Sequence, residues 1–153
     1  MLGDVPTNER MVRDRVLHSG AVAAFVNHTP PLEAGYGVAI NQAYAATKWV
    51  AEHGKEIKVD GARLAVAGNS VGGNMATVAA LMAKDEGGPK LRAEILFWPV
   101  ADANFDAPSY KQFAEGHFLT RNMSRQAQGH PGAAVASGGR AVEGHAANAD
   151  SDG

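Results

Sequence analysis

Apolar positions along the chain fall into blocks whose spacing alternates between that of a helix and that of a buried strand. From Thr7 to Gly20, Met11, Val12 and Val16 recur at helical spacing among Arg13, Asp14 and Arg15. Thr7 suits an N-cap and Gly20 a left-handed stop, so this stretch predicts an amphipathic helix. Ala21 to Asn27 (AVAAFVN) is a short apolar run closed by the breaker Thr29-Pro30-Pro31, the pattern of a strand buried on both faces. A second helix is predicted from about Val38 to His53, with Ile40, Ala43, Tyr44, Thr47 and Val50 on one stripe and Gly54 at its end. Asp60-Gly61 then turns the chain.

Arg63 to Ala67 (RLAVA) predicts a second strand, which runs without a polar spacer into Gly68-Asn69-Ser70-Val71-Gly72-Gly73. Asn74 to Ala83 (NMATVAALMA) is apolar nearly all round and predicts a helix buried on several sides. Ala93 to Val100 (AEILFWPV) predicts a third strand, with Pro99 marking its end because proline cannot donate to a central ladder. Strands alternating with helices imply an α/β fold with a mostly parallel sheet. From Ser124 onward there is no aromatic residue, and two valines are the large aliphatics. The expected organisation is therefore a domain over residues 1–123 and a disordered tail over 124–153, which buries too little surface to offset its ordering entropy. Gly, Ala, Arg and His without periodicity are also what an out-of-frame reading of GC-rich DNA yields, so a frameshift near Met123 is one hypothesis for the tail.

The 153 residues and their 45% apolar content suit one globular domain with an ordinary core. A formal charge of -2, with both signs scattered, offers no basic face for nucleic acid and no polybasic anchor for a membrane. The chain has no cysteine, which excludes disulfides and thiolate chemistry. Met1 to Arg10 are polar, no apolar run approaches a membrane span, and the expected location is cytoplasmic. The histidines and carboxylates show no metal-ligand spacing, and the glycines fit neither a phosphate-binding loop nor a dinucleotide fingerprint, so neither metal nor cofactor is expected.

Gly-x-Ser-x-Gly between an apolar strand and a buried helix is the pattern of a nucleophile elbow. The turn lifts the serine hydroxyl above the sheet edge and points the helix N-terminus at a reacting carbonyl. Ser70 is then the candidate nucleophile, and the Val71 N–H a candidate oxyanion donor. Gly68, Asn69, Gly72 and Gly73 complete the elbow, with Gly68 and Gly72 expected to supply the room it needs. The ordinary alternative is a chance Gly-Ser turn, and the strand–helix context argues against it.

Tyr44 to Gly54 (YAATKWVAEHG), Arg63 to Met75 (RLAVAGNSVGGNM) and Trp98 to Arg121 (WPVADANFDAPSYKQFAEGHFLTR) resemble corresponding stretches of the hormone-sensitive-lipase-like bacterial carboxylesterases, members of the α/β-hydrolase fold. Asn69 and Val71 depart from that family's usual Gly-Asp-Ser-Ala-Gly-Gly. The resemblance implies a carboxylic ester hydrolase acting on small-molecule esters through an acyl-enzyme on Ser70. It also implies that the family's His-Gly-Gly-Gly oxyanion segment would precede Met1, and that its relay acid and general-base histidine would follow the matched region. A central strand would be lost with the former, leaving unpaired strand edges through which the chain could self-associate. The competing reading is a catalytically inactive fragment, or a non-catalytic binding module holding a carboxylate at the elbow's helix N-terminus.

The remaining candidates have ordinary readings beside their catalytic ones. His18 and His53 end helices, His28 and His117 lie in loops, and His130 and His145 lie in the tail; none is expected to serve as the base of Ser70. Asp102 and Asp106 follow the third strand and could approach the elbow, but loop aspartates more often cap turns. Trp49, Phe97 and Trp98 read as core or pocket wall.

Overall fold

The structure, a computed structural model, describes residues 5–29, 31–102 and 104–116. Its elements in chain order are helix α1 (Val5–Ser19), helix α2 (Pro31–His53) followed by a 3₁₀ turn (Gly54–Ile57), strand β1 (Leu64–Asn69), helix α3 (Val71–Asp85), strand β2 (Leu91–Phe97) and the short helix α4 (Pro108–Gln112). β1 and β2 pair in parallel, with α3 as the crossover between them. This is the β-α-β unit that the alternation of apolar blocks predicts. Ala65 to Asn69 pair with Ala93 to Phe97, and a register shift after Leu64 leaves Arg92 as the extra residue.

The core lies between α2 and α3. Tyr36, Ala39 and Ile40 from one helix pack against Met75, Val78 and Ala79 from the other, with Ala43, Val71 and Met82 at the margin. The spacing of 36, 39, 40 and 43 is one helix face. α3 in turn lies on the sheet, where the Thr77 hydroxyl donates to the Glu94 carboxylate of β2. Alternation along the strands then puts Ala65, Ala67, Ala93 and Ile95 together on the opposite face, all exposed.

α1 stops as its sequence predicts: Gly20 takes a left-handed φ of 65° and its N–H bonds the Val16 carbonyl at 3.0 Å. The helix stands off the core, with Leu17 78% exposed, and it touches the sheet through the Arg15 guanidinium, 4.4 Å above the Phe97 ring. α2 begins earlier than the periodicity indicates. Pro31, expected to act as a breaker, instead opens helix, which its fixed φ permits at a first turn. Gly35 (φ 69°, ψ 162°) interrupts the helix before its regular part resumes. The Asp60-Gly61 turn forms as expected, with the Asp60 carboxylate accepting the Ala62 N–H at 3.0 Å.

Ala21 to Asn27 corrects the sequence reading. This apolar run is not a strand: it joins no ladder among the described residues, and Val22 is 73% exposed. A strand buried on both faces is made by its neighbours, since its backbone groups need ladder partners and its side chains need covering layers. No described element provides either for this run. The tail over 124–153, His117, His130 and His145 fall outside the described residues. No helix among the described residues is long and apolar enough to cross a membrane.

The packing makes a simple contrast. Ile40→Ala, inside the α2–α3 seam, should lower unfolding free energy by about 2–4 kcal/mol, read from urea denaturation. Leu17→Ala on exposed α1 should change it by no more than about 0.5 kcal/mol.

Candidate active site

β1 ends at Asn69 and α3 begins at Val71, so Ser70 alone makes the reversal from strand to helix. It does so at φ 51°, ψ -122°. Such a backbone conformation at a non-glycine residue costs about 1–3 kcal/mol and persists where the surroundings over-determine it. Here they do. The Ser70 N–H donates to the Phe97 carbonyl at 3.0 Å, and the Ser70 carbonyl accepts the N–H groups of Gly73 at 3.0 Å, Asn74 at 3.2 Å and Val100 at 3.1 Å. The peptide is thus fixed from β2, from α3 and from the segment beyond β2. The Ser70 side chain makes no capping bond to α3 although it occupies the cap position, which leaves the hydroxyl for other chemistry. Val71 carries the first N–H of α3, one of the groups a helix leaves without an internal acceptor.

The glycines divide the work differently from the sequence expectation. A Cβ on Gly68 would fall within the Gly72 peptide and 2.7 Å from the Gly73 nitrogen. A Cβ on Gly73 would lie 2.9 Å from the Pro99 Cβ. A Cβ on Gly72 would meet nothing closer than the Asn69 side-chain oxygen at 3.9 Å, an ordinary contact. Gly68 and Gly73 therefore set the close approach of strand, helix and the Pro99 loop; Gly72 has space to spare. Asn69 is the last β1 residue, paired in register with Phe97.

Asn74 is the contributor that the sequence reading missed. It is buried, and besides its backbone bond to Ser70 its amide donates to the Val100 carbonyl at 2.9 Å while its oxygen accepts the Tyr36 hydroxyl at 2.5 Å. One side chain thereby ties α2, α3 and the segment beyond β2 into a single unit under the elbow. Burial raises the Tyr36 phenol above its ordinary range, which keeps it neutral and donating. A lone asparagine at the head of an apolar helix was the available signal, because buried polar side chains are retained with partners.

The histidines and Asp102 sit as their ordinary readings suggest; Trp98, read as core or pocket wall, does not, being 70% exposed beyond the end of β2 where no described element covers it. The Nδ1 of His18 bonds the Asp14 carbonyl at 2.6 Å, that of His28 the Thr29 carbonyl at 3.1 Å, and that of His53 the Trp49 carbonyl at 3.2 Å, with the His53 ring stacked on Trp49. None of these three histidines bonds Ser70. Asp102 accepts the Asn104 N–H at 3.0 Å, a local turn contact. Among the described residues no cluster of His, Asp or Glu could hold a metal ion. A groove of about 380 Å³ lies at the opposite end of α3, lined by Tyr44, Lys48, Trp49, Met82 and Glu86 among others, and Ser70 has no part in it.

Comparison with known proteins gives the family to which this strand–turn–helix chain is similar. A family profile described as alpha/beta hydrolase fold covers residues 1–136. The chain belongs to the α/β-hydrolase fold family. Esterase LipI of Mycobacterium tuberculosis is 36% identical over 119 residues, which are 78% of this chain and 37% of LipI. A thermostable esterase from Pseudomonas putida superposes with a TM-score of 0.78 at 65% identity, covering 82% of this chain and 39% of that one. A variant of the esterase rPPE with a serine replaced by alanine has been solved complexed with (S)-Ac-CPA, at 64% identity to this chain and with the same TM-score and coverage. Other variants carry a tryptophan-to-histidine replacement, alone or with the serine change. The replaced serine and tryptophan are the same distance apart in sequence as Ser70 and Trp98. This α/β-hydrolase chain spans about two fifths of the length of the relatives it matches, and the family match continues past Met123, where the sequence reading placed the end of the domain.

The glycine geometry predicts an order of tolerance. Gly73→Ala should lower stability by about 1–3 kcal/mol and Gly68→Ala by more, whereas Gly72→Ala should be neutral or gain up to about 1 kcal/mol as a helical position. Urea denaturation of the three variants reads this order directly.

Proposed function

We propose that this chain carries the nucleophilic half of a carboxylic ester hydrolase, with Ser70 as nucleophile. The observation that carries the reading is the left-handed Ser70 backbone, fixed on both sides of its peptide, with a side chain that does not cap α3. The serine replaced in a variant of the similar esterase rPPE supports it through its matching separation from a tryptophan. In the reaction Ser70 Oγ bonds to the ester carbonyl carbon while its proton passes to a base. The carbonyl oxygen, now anionic, takes the Val71 N–H as one donor at the positive end of α3. Collapse expels the alcohol and leaves an acyl-enzyme, which water opens to free the acid and regenerate Ser70. Gly68, Asn69, Gly72 and Gly73 serve as the elbow, and small-molecule esters are the substrates.

Supply of the base separates this reading from an inactive fragment. His18, His28 and His53 each bond a local carbonyl through Nδ1, and none of the three bonds Ser70. Loss of the base costs turnover on the order of 10⁶ in subtilisin, where nucleophile and base act as a unit. Fluorophosphonate should therefore label Ser70 slowly, and Ser70→Ala should abolish labelling, while p-nitrophenyl acetate turnover by the purified chain stays near background. A Ser70-dependent rate typical of esterases would mean that a histidine of this chain serves as base after all. Labelling that survives Ser70→Ala would remove Ser70 as the nucleophile.

Self-association is a second property we propose for the isolated chain. Ala65, Ala67, Ala93 and Ile95 form an exposed apolar sheet face, and the outer edges of β1 and β2 have no ladder partner among the described residues. Sedimentation velocity should show species larger than a monomer, and a single monomer boundary across concentrations would contradict this.

A further inference from the structure

The run Ala21 to Asn27 (AVAAFVN) has the composition of a buried strand and is left uncovered: Val22 is 73% and Phe25 46% exposed, and no described strand pairs with it. Both of its ends are anchored. Ahead of it the Gly20 N–H donates to the Val16 carbonyl at 3.0 Å, and the Ala21 N–H donates to the Ser19 hydroxyl oxygen at 3.2 Å. Behind it the Thr29 N–H donates to the Gln42 side-chain oxygen at 2.8 Å, and the Gln42 amide donates to the Thr29 hydroxyl at 3.0 Å. The run is thus slung between α1 and α2, where the described part of its own molecule gives it no ladder.

The sheet offers what the run lacks. β1 and β2 each have one edge without a ladder partner among the described residues, and the two edges differ. β2 (LRAEILF) carries Arg92 and Glu94, and its pairing is irregular at Arg92; charges and irregularities of this kind blunt an edge against added strands. β1 (LAVAGN) has no charged residue and pairs regularly from Ala65 to Asn69, so its edge is the unprotected one. A strand added beside β1 would continue a sheet that has α3 on one face and the row of Ala65 and Ala67 on the other, and it would need apolar side chains on both. The run supplies them, with Ala23 and Phe25 alternating with Val22, Ala24 and Val26. Its seven residues also match the six of β1 in length.

We propose that Ala21 to Asn27 of one copy adds as a third strand along the outer edge of β1 in a second copy, and that the exchange is reciprocal. The proposal rests on self-association as read above and names the segment and the edge that carry it. A second copy is the partner because the anchors at Ser19 and Gln42 hold the run off the sheet of its own chain, whereas another molecule can approach as a rigid body with those anchors intact. Main-chain hydrogen bonds give such pairing its affinity, and reciprocity closes it as a two-fold dimer instead of an open filament.

Sedimentation equilibrium of the full chain beside its Ala24→Pro variant gives the first measurement. Proline removes a ladder donor at a position where the single copy makes no ladder bond, so the dimer dissociation constant should rise roughly tenfold or more while the urea midpoint of the fold stays where it was. Should that midpoint fall, crosslinking decides. The chain has no cysteine, so single replacements report contacts without background. An isotope-labelled copy carrying Ala23→Cys or Ala24→Cys is mixed with an unlabelled copy carrying Ala65→Cys or Ala67→Cys and oxidised, and intact mass identifies the mixed disulfide. Adjacent strands lie about 4.8 Å apart, within disulfide reach, and the strand beyond lies about twice as far. Successive strand residues face opposite ways, so one of Ala23→Cys and Ala24→Cys should crosslink to β1 and the other should not, and neither should crosslink to Ala93→Cys on β2. Crosslinking by both, capture by Ala93→Cys, or no crosslink in a chain that still dimerises would overturn the strand exchange while leaving self-association intact. A monomer at every concentration would contradict self-association itself, and the exchange with it.

Discussion

The Ser70 carbonyl oxygen accepts three backbone N–H groups, from Gly73, Asn74 and Val100, and the rest of the described structure is arranged around that convergence. Two of the donors belong to the first turn of α3, where a helix has N–H groups to spare. The third comes from beyond β2, and with the Ser70 N–H on the Phe97 carbonyl it sews the end of one strand to the start of the crossover helix. A carbonyl used this fully holds its peptide in one orientation. The positive φ of Ser70 follows from that orientation.

Close approach is the condition for these bonds. The peptide of Gly72 lies where a side chain on Gly68 would be, and Pro99 lies against Gly73, so the absence of two Cβ atoms brings strand, helix and loop within reach of one another. Asn74 then converts contact into fixed geometry by spending both ends of its amide on Tyr36 and Val100. Partial satisfaction would make such a buried group a liability; full satisfaction makes it a brace. The same brace reaches the α2–α3 core, since Tyr36 packs there beside Ile40 and Met75. Apolar packing and the backbone of the elbow are mechanically one structure.

Much of this was legible in the sequence because it depends on local patterns. The spacing of Ile40, Ala43 and Tyr44 marked the buried face of α2, and the apolar run into Gly68 marked a strand ending at the serine. What escaped depends on distant neighbours. Ala21 to Asn27 has the composition of a buried strand, yet without a ladder partner among the described residues that composition has nothing to act on. Gly72 belongs to the motif as much as Gly68 does, but only the path of the Pro99 loop shows that Gly73 carries the second tight contact. Asn74 could be flagged as an oddity in an apolar helix; its partners, Tyr36 and Val100, lie too far away in sequence for any periodicity to name them. The resemblance to carboxylesterases pointed to the serine as a candidate and was silent on what holds it.

Amide hydrogen exchange on the purified chain tests that clamp most directly. If the Ser70 peptide is fixed as described, the N–H groups of Ser70 and Val100, which lie outside the regular helices and strands, should exchange as slowly as those within β1 and α3. Exchange of Ser70 and Val100 at the rate of an open loop, with β1 and α3 still protected, would show that the elbow is not held and would contradict the account.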